Sequence, residues 1–365
     1  MEQNKIKAIK DFGQSIWLDF FDREIMNSGR LKKMIEEDGI SGVTSNPSIF
    51  QKAISSGSDY DEDIERLLQT KKTYDGIFFN LAIRDIKRVA NIFKNLYNKS
   101  NGEDGFASLE VSPHLAYNTN GTIKQVEQLW KAVGRKNVMI KIPATKEGLP
   151  AIRKCISEGI NINITLLFGL PRYEEVIDAY LSGLEDRVQA NKSIHQITSV
   201  ASFFLSRIDV VVDPMLQQND SNLKGEVAIA SAKKAYEIFK DVFSGERFKK
   251  LEAKGAKRQR LLWASTGTKD KTFSDVKYVE ALIGPETINT IPVETLEAFR
   301  DHGQPQNRLE NDTDKAIQIL ASLDEKGIDL DAITQKLENE GIEKFNKAYD
   351  EILETIKRKK IKETV

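Results

Sequence analysis

The sequence predicts an α/β protein of the (β/α)8 TIM-barrel class with additional helices, and three observations carry that reading. Eight short apolar or β-branched runs bounded by turn residues alternate with amphipathic stretches of helical period. Such alternation implies parallel strands joined by crossover helices, and eight units match a closed barrel better than an open doubly wound sheet. No proline- or glycine-rich linker and no internal repeat interrupts the 365 residues, so one domain spanning residues 1–365 is expected. Polar side chains also gather late in the apolar runs, at the end of the strands where barrels of this class carry out their chemistry.

The strands expected in order are Ser15 to Phe20, Gly42 to Pro47, Ala107 to Ser112, Val138 to Pro143, Ile162 to Leu167, Ile197 to Phe204, Arg260 to Ser265 and Thr287 to Pro292. Each is too short for a helix and rich in the residues that suit a pleated, buried surface. Between them, helical periodicity marks Tyr60 to Thr70, Leu81 to Tyr97, Thr122 to Ala132, Leu149 to Glu158, Arg172 to Asn191, Lys224 to Val242 and Thr272 to Ile283. Two gaps, Asp59 to Lys99 and Asp213 to Lys254, are long enough for extra helices. The amino-terminal Met1 to Lys10 is charged and helical in pattern. Beyond the eighth strand, residues from about 294 to 365 read as two or three helices packed on the barrel, ending in a basic run, Lys357 to Lys362, that reads as a solvated helix end.

Composition narrows the function. Hydrophobic residues at 40% suffice to fill a core, while 54 basic against 55 acidic side chains leave a net charge of −1 and no field to recruit nucleic acid or anionic lipid. No apolar window is long enough to span a membrane, and the amino terminus lacks the apolar core of a signal peptide. The one cysteine, Cys155, permits no intrachain disulfide and lies beside Ile152 and Ile156 as a packing residue, which fits a reducing cytoplasm. His114, His195 and His302 lack metal-ligand spacing and read as surface or hydrogen-bonding residues. Dinucleotide, P-loop and zinc-hydrolase motifs are all missing, so neither metal nor cofactor is expected. A homo-oligomer is compatible with the sequence, which does not decide it.

Lys141 is the sharpest chemical signal. Flanked by Val138, Met139, Ile140, Ile142 and Pro143, it must bury its stem inside the barrel. Burial disfavours an ammonium, and an amine brought near neutrality attacks carbonyls to form Schiff bases. On spacing alone, a structural ion pair with Glu110 or Asp19 accounts for it equally well. Asp19 and Glu110, late in the first and third strands, supply two carboxyls for proton transfer, or else satisfy backbone amides or the lysine. Thr44, Ser45 and Asn46 end the second strand, and Asn163 and Thr165 share one face of the fifth. Arg207 and Lys269, after strands six and seven, with Ser202 and Ser265, sit where barrels often hold phosphate, although each cation alone also reads as an ordinary solvated side chain.

Taken together, these residues sit in segments that resemble transaldolases of the longer bacterial branch. The segments are SIWLDFFDR, GVTSNPSIFQKAI, LEVSPHLA, VMIKIPATKEGLPAI, INITLLFGLPRYEEVIDAYLSGLE, SVASFFLSRID and LLWASTGTKD, in order from Ser15 toward His302. The resemblance implies a Schiff-base lysine at Lys141, with Asp19 as the general acid and base of carbon–carbon cleavage. It implies that Glu110 and Thr165 act through a water in imine formation and hydrolysis, and that Asn46 and Asn163 hold substrate hydroxyls. Ser202 and Arg207 match sugar-phosphate positions; Phe204, Ser265 and Lys269 complete the expected substrate site. The implied activity is transfer of a dihydroxyacetone unit from sedoheptulose 7-phosphate or fructose 6-phosphate to glyceraldehyde 3-phosphate or erythrose 4-phosphate, in the pentose phosphate pathway and without a cofactor. The alternatives are a fructose 6-phosphate aldolase releasing free dihydroxyacetone, which tends to replace the glutamate and the strand-six phenylalanine kept here, and a barrel that merely binds sugar phosphates. One departure stands out: many members carry a second phosphate arginine shortly after strand seven, where this chain has Lys269, a point charge rather than a bidentate fork.

Overall fold

The computed structural model describes residues 4–362. Its eight strands, β1 (Gln14–Leu18), β2 (Gly42–Val43), β3 (Phe106–Glu110), β4 (Val138–Pro143), β5 (Ile162–Leu167), β6 (Ser199–Phe204), β7 (Arg260–Ala264) and β8 (Thr287–Ile291), pair in parallel and in chain order. β1 closes the ring against β8, with Trp17 opposite Thr290. The helices follow the same order. α1 (Lys5–Ala8) precedes β1; α2 (Arg23–Asn27) and α3 (Arg30–Glu37) follow it. α4 (Pro47–Ser55), α5 (Asp61–Leu68) and α6 (Tyr74–Lys99) link β2 to β3. α7 (Thr119–Val133), α8 (Gly148–Ser157) and α9 (Leu170–Gln189) make the next three crossovers. α10 (Ser206–Val212), α11 (Val227–Ser244) and α12 (Glu246–Glu252) lead to β7, and α13 (Lys277–Ala281) leads to β8. α14 (Val293–His302), α15 (Thr313–Glu325) and α16 (Leu330–Lys362) complete the chain. The expected barrel class and both helix-filled gaps are therefore present. The tail end, residues 363–365, the side chains of 360–362, and Met1 to Gln3 of the expected first helix lie outside the described residues.

The differences from expectation have local causes. β2 is cut to two residues because Asn46 turns the chain into α4, its side chain accepting from the Ile49 amide at 3.0 Å ahead of Pro47 at the first helical position. α6 starts at Tyr74, earlier than periodicity suggests, because Thr73 Oγ1 accepts from the Gly76 amide at 3.1 Å. α13 is shorter than its periodic stretch, since Asp270 accepts from the Thr272 amide and hydroxyl, both at 2.8 Å, and holds that segment in a turn. Among the described residues no helix is long and apolar enough to cross a membrane.

Inside the barrel, the two-residue strand period separates a dry layer from a polar one. Trp17, Phe106, Met139, Val200, Leu262 and Ile288 pack together, each at most 1% exposed, with the Trp17 and Phe106 rings 6.2 Å apart. A Cβ on Gly42 would lie 2.5 Å from the Trp17 ring, so the second strand must present glycine where the indole crosses the barrel. Two positions further along their strands or just beyond them stand Asp19, Ser108, Lys141, Ser202, Ala264 and Thr290. The aromatic plug thus closes the amino-terminal end and leaves a blind polar cavity at the other. Outside, α16 packs against α4, which begins just past β2, and against α10, which begins just past β6. Those strands are diametrically opposed in an eight-strand ring, so the last helix spans the mouth rather than the outer wall alone.

Candidate active site

The cavity at the carboxyl ends of the strands has a volume of about 190 Å3 and is lined by Asp19, Asn46, Lys141, Thr165, Ser202, Phe204, Arg207, Ser265 and Lys269, among others. Nine of the eleven site residues expected from sequence therefore share one surface. The other two, Glu110 and Asn163, lie just beneath it, at 5% and 0% exposure. A wider groove of about 830 Å3 between α4 and α16, lined by Gln51, Asn346, Lys347 and Arg358 among others, contains none of these residues.

Lys141 reaches inward from β4 beside Glu110 of β3, its register partner. Its Nζ donates to the Ser45 carbonyl at 2.8 Å and stands 3.3 Å from Glu110 Oε2. The pair is coulombic rather than a well-directed hydrogen bond: both Glu110 oxygens are buried without a hydrogen-bond partner. Burial drives this carboxyl from its ordinary 4.5 up to about 7, against the opposing pull of Lys141. The buried ion pair expected as the rival account of Lys141 is thus present, and the same amine opens into the cavity.

Asp19 lies one residue beyond β1 and accepts from Thr44 Oγ1 at 2.7 Å; Thr44 in turn shares a 2.7 Å hydrogen bond with Thr290 Oγ1. Desolvation raises its pKa above the ordinary carboxylate range, with Lys141, the Thr44 hydrogen bond and Lys269 pulling the other way. Two carboxyls, both raised by burial, therefore stand near one amine; Asp19 accepts a hydroxyl hydrogen bond and Glu110 has no hydrogen-bond partner. Thr165 Oγ1, on β5, is buried and unpartnered, as is one Arg207 nitrogen, Nη1. Burial lowers the Arg207 pKa, with the Glu340 charge acting against it. An orphaned, buried guanidinium nitrogen at a cavity wall is a ready anion donor.

The neutral residues are set by side-chain hydrogen bonds. Ser202 Oγ donates to Asn163 Oδ1 at 2.7 Å, and Asn163 Nδ2 donates to Ser108 Oγ at 3.1 Å. Asn163 thus orients Ser202 from below and is not among the residues that line the cavity. Asn46 spends its carbonyl oxygen on capping α4 and is part of the cavity lining. The Phe204 ring packs 5.1 Å from that of Phe168. Ser265 adopts φ 55°, which ends β7 sharply and brings its Oγ to 3.0 Å from Ser206 Oγ. Leu166, next to Thr165, also has φ 55°, at a register shift between β5 and β6; for a bulky side chain this left-handed backbone costs on the order of 1–3 kcal/mol and must be held by its surroundings.

Thr290 and Phe345 join the lining without having been expected there. Thr290 is visible by the two-residue period, two positions beyond Ile288 on the last strand. Phe345 has no local signal, because an aromatic residue in an amphipathic helix reads as core. His114 and His302 pair with Asp350 and Asp275, each at 2.8 Å, on the exposed surface, and Cys155 is 1% exposed in the core.

Known proteins are similar to this chain in sequence along nearly its whole length. Residues 16–356 match the family described as transaldolase/fructose-6-phosphate aldolase. The chain is 44% identical to a transaldolase of Saccharopolyspora erythraea over 97% of both chains, 44% identical to transaldolase 2 of a Nostoc species over 98% of both, and 43% identical to a transaldolase of Thiobacillus denitrificans over 97% of this chain and 99% of that one. With the buried lysine, its two carboxyls and the near full-length match all in one barrel, the chain belongs to the transaldolase/fructose-6-phosphate aldolase family.

Proposed function

We propose that this protein is a transaldolase that carries a dihydroxyacetone unit as a Schiff base on Lys141. The observation that carries the reading is the Lys141 amine itself, open to a blind cavity, 3.3 Å from a buried carboxyl and with a second, Asp19 just past β1, in the same lining. Lys141 adds to the ketone of a ketose phosphate, and loss of water gives a protonated imine. Glu110, with a pKa raised to about 7, holds or releases a proton at neutral pH and serves that dehydration through a water bound with Thr165. Asp19 takes the proton from the hydroxyl beside the breaking carbon–carbon bond; the bonding pair flows into the imine and the aldose phosphate leaves. The resulting enamine attacks the carbonyl carbon of an acceptor aldose phosphate, and Asp19 returns the proton to the new alkoxide.

Arg207 and Lys269 supply cationic phosphate contacts, with Ser202 and Ser265 as neutral donors. Asn46 holds a hydroxyl of the three-carbon unit, and Asn163 acts through Ser202. No step requires a cofactor, metal or nucleic acid, and the substrates are cytoplasmic sugar phosphates. The whole chain, residues 1–365, serves as one functional domain, because the cavity draws on residues from β1 to α16. Glu110 and Phe204, both retained, favour transfer over the aldolase branch. Borohydride trapping with fructose 6-phosphate, followed by peptide mapping, tests the reading. A three-carbon adduct on Lys141 that declines when erythrose 4-phosphate is added supports it. No adduct, or an adduct on another lysine, overturns it.

A further inference from the structure

Transfer succeeds when the carbon nucleophile on Lys141 waits for an aldehyde. Release of the three-carbon unit instead needs a proton at the carbanion carbon and one water at the imine carbon. The C–N bond then breaks, the water oxygen stays as the ketone, and the nitrogen returns to Lys141 as an ammonium. The partition between the two outcomes is set by access of water to the cavity.

The cavity has polar walls, yet Phe345 of α16, 5% exposed, forms part of its lining. This residue lies 204 positions along the chain from the lysine whose cavity it shares. α16 is seated from several sides. Gly341 lies against the bulge residue Leu166, where a Cβ would come within 2.9 Å of Leu166 Cδ2. Arg172 of α9 reaches Glu338 at 3.2 Å, His114 pairs with Asp350, and Tyr349 packs edge-on against Phe78 at 5.3 Å. Helix position and Phe345 placement are therefore fixed by packing and ion pairs rather than left to a mobile lid.

We infer that Phe345 is a specificity-determining residue: its ring, held at the mouth by α16, excludes water from the imine and so sets the ratio of transfer to release. The inference rests on the transaldolase reading. The carbons of the ring offer no hydrogen bond to a water in the otherwise polar cavity that it helps to line, and a smaller side chain opens that space.

The test compares wild type, Phe345→Ala and Phe345→Val, with fructose 6-phosphate as donor, with and without saturating erythrose 4-phosphate. Free dihydroxyacetone and sedoheptulose 7-phosphate are measured separately, and Lys141 adducts are trapped with borohydride. Phe345→Ala is expected to raise the release-to-transfer ratio by about tenfold or more while the adduct persists, with Phe345→Val in between. If Phe345→Ala does not fold, the ratio is read from Phe345→Val, expected to rise by about threefold. An unchanged ratio, or release and transfer falling together, overturns the inference and leaves Phe345 a packing residue. Failure of wild type to form the Lys141 adduct instead overturns the transaldolase reading beneath it.

Discussion

Replacing Glu110 with Gln converts a buried, titrating group into an isosteric neutral one, and the structure sets the size of the effect. Burial raises the carboxyl from 4.5 to about 7, so between those values the folded chain keeps a proton that the unfolded chain has lost. The native state binds more protons there, and stability falls as pH rises; the contribution is fully present below 4.5 and is lost through the folded value near 7. With about 1.4 kcal/mol for each unit, the single-site expression puts the loss between pH 5 and pH 8 at about 2.5 kcal/mol. Glu110→Gln lacks this term. Urea unfolding followed by circular dichroism at both pH values is expected to show the variant gaining about 2.5 kcal/mol on wild type from pH 5 to pH 8. The same substitution removes the proton carrier that we propose for imine formation and is expected to lower kcat by about 10²–10⁴-fold, with loss of a limb near pH 7 in the kcat/KM profile. Ionising Glu110 thus costs stability and, in the proposed mechanism, supplies the base. Parallel stability curves for the two proteins would refute the desolvation argument.

Lys141→Met is expected to abolish turnover and the borohydride adduct while keeping the melting temperature at pH 6, where Glu110 is mostly protonated and is not left as an unpaired buried charge. Asp19→Asn is expected to keep the trapped adduct formed with dihydroxyacetone itself but lower carbon–carbon cleavage by about 10²–10⁴-fold, read by single-turnover kinetics. Arg207→Ala is expected to raise KM for phosphorylated donors by about 10–100-fold, from a lost charge-assisted contact of about 1.5–3 kcal/mol, and to leave unphosphorylated dihydroxyacetone little affected in steady-state assays. Gly42→Ala drives a methyl to 2.5 Å from the Trp17 ring, deep in the barrel, and is expected to cost about 1–3 kcal/mol or more in urea unfolding, with expression as the coarser readout.

Much of this molecule is legible in the chain because two periods are local properties. Period-two alternation alone puts Trp17 and Asp19, or Met139 and Lys141, on one face, and that face is the barrel interior. Turn chemistry is less legible: Asn46 reads as the end of a strand, whereas in the structure it caps α4 because its side chain satisfies the Ile49 amide. The left-handed backbones at Leu166 and Ser265 have no signal, since neither residue prefers that conformation and each is held there by its surroundings.

Strand order and the inward facing of Lys141, Asp19 and Glu110 are legible in the sequence alone, because hydrophobic period and the βα rhythm dictate which side chains must turn inward. What tertiary structure decided was distance and access. The 3.3 Å between Lys141 and Glu110, the retreat of Asn163 beneath the cavity, and the arrival of Phe345 over its mouth involve residues between 22 and 204 positions away from Lys141 in the chain. No local pattern encodes such pairings, because they follow from how the ring closes and how the last helix packs across the helices that begin past β2 and β6.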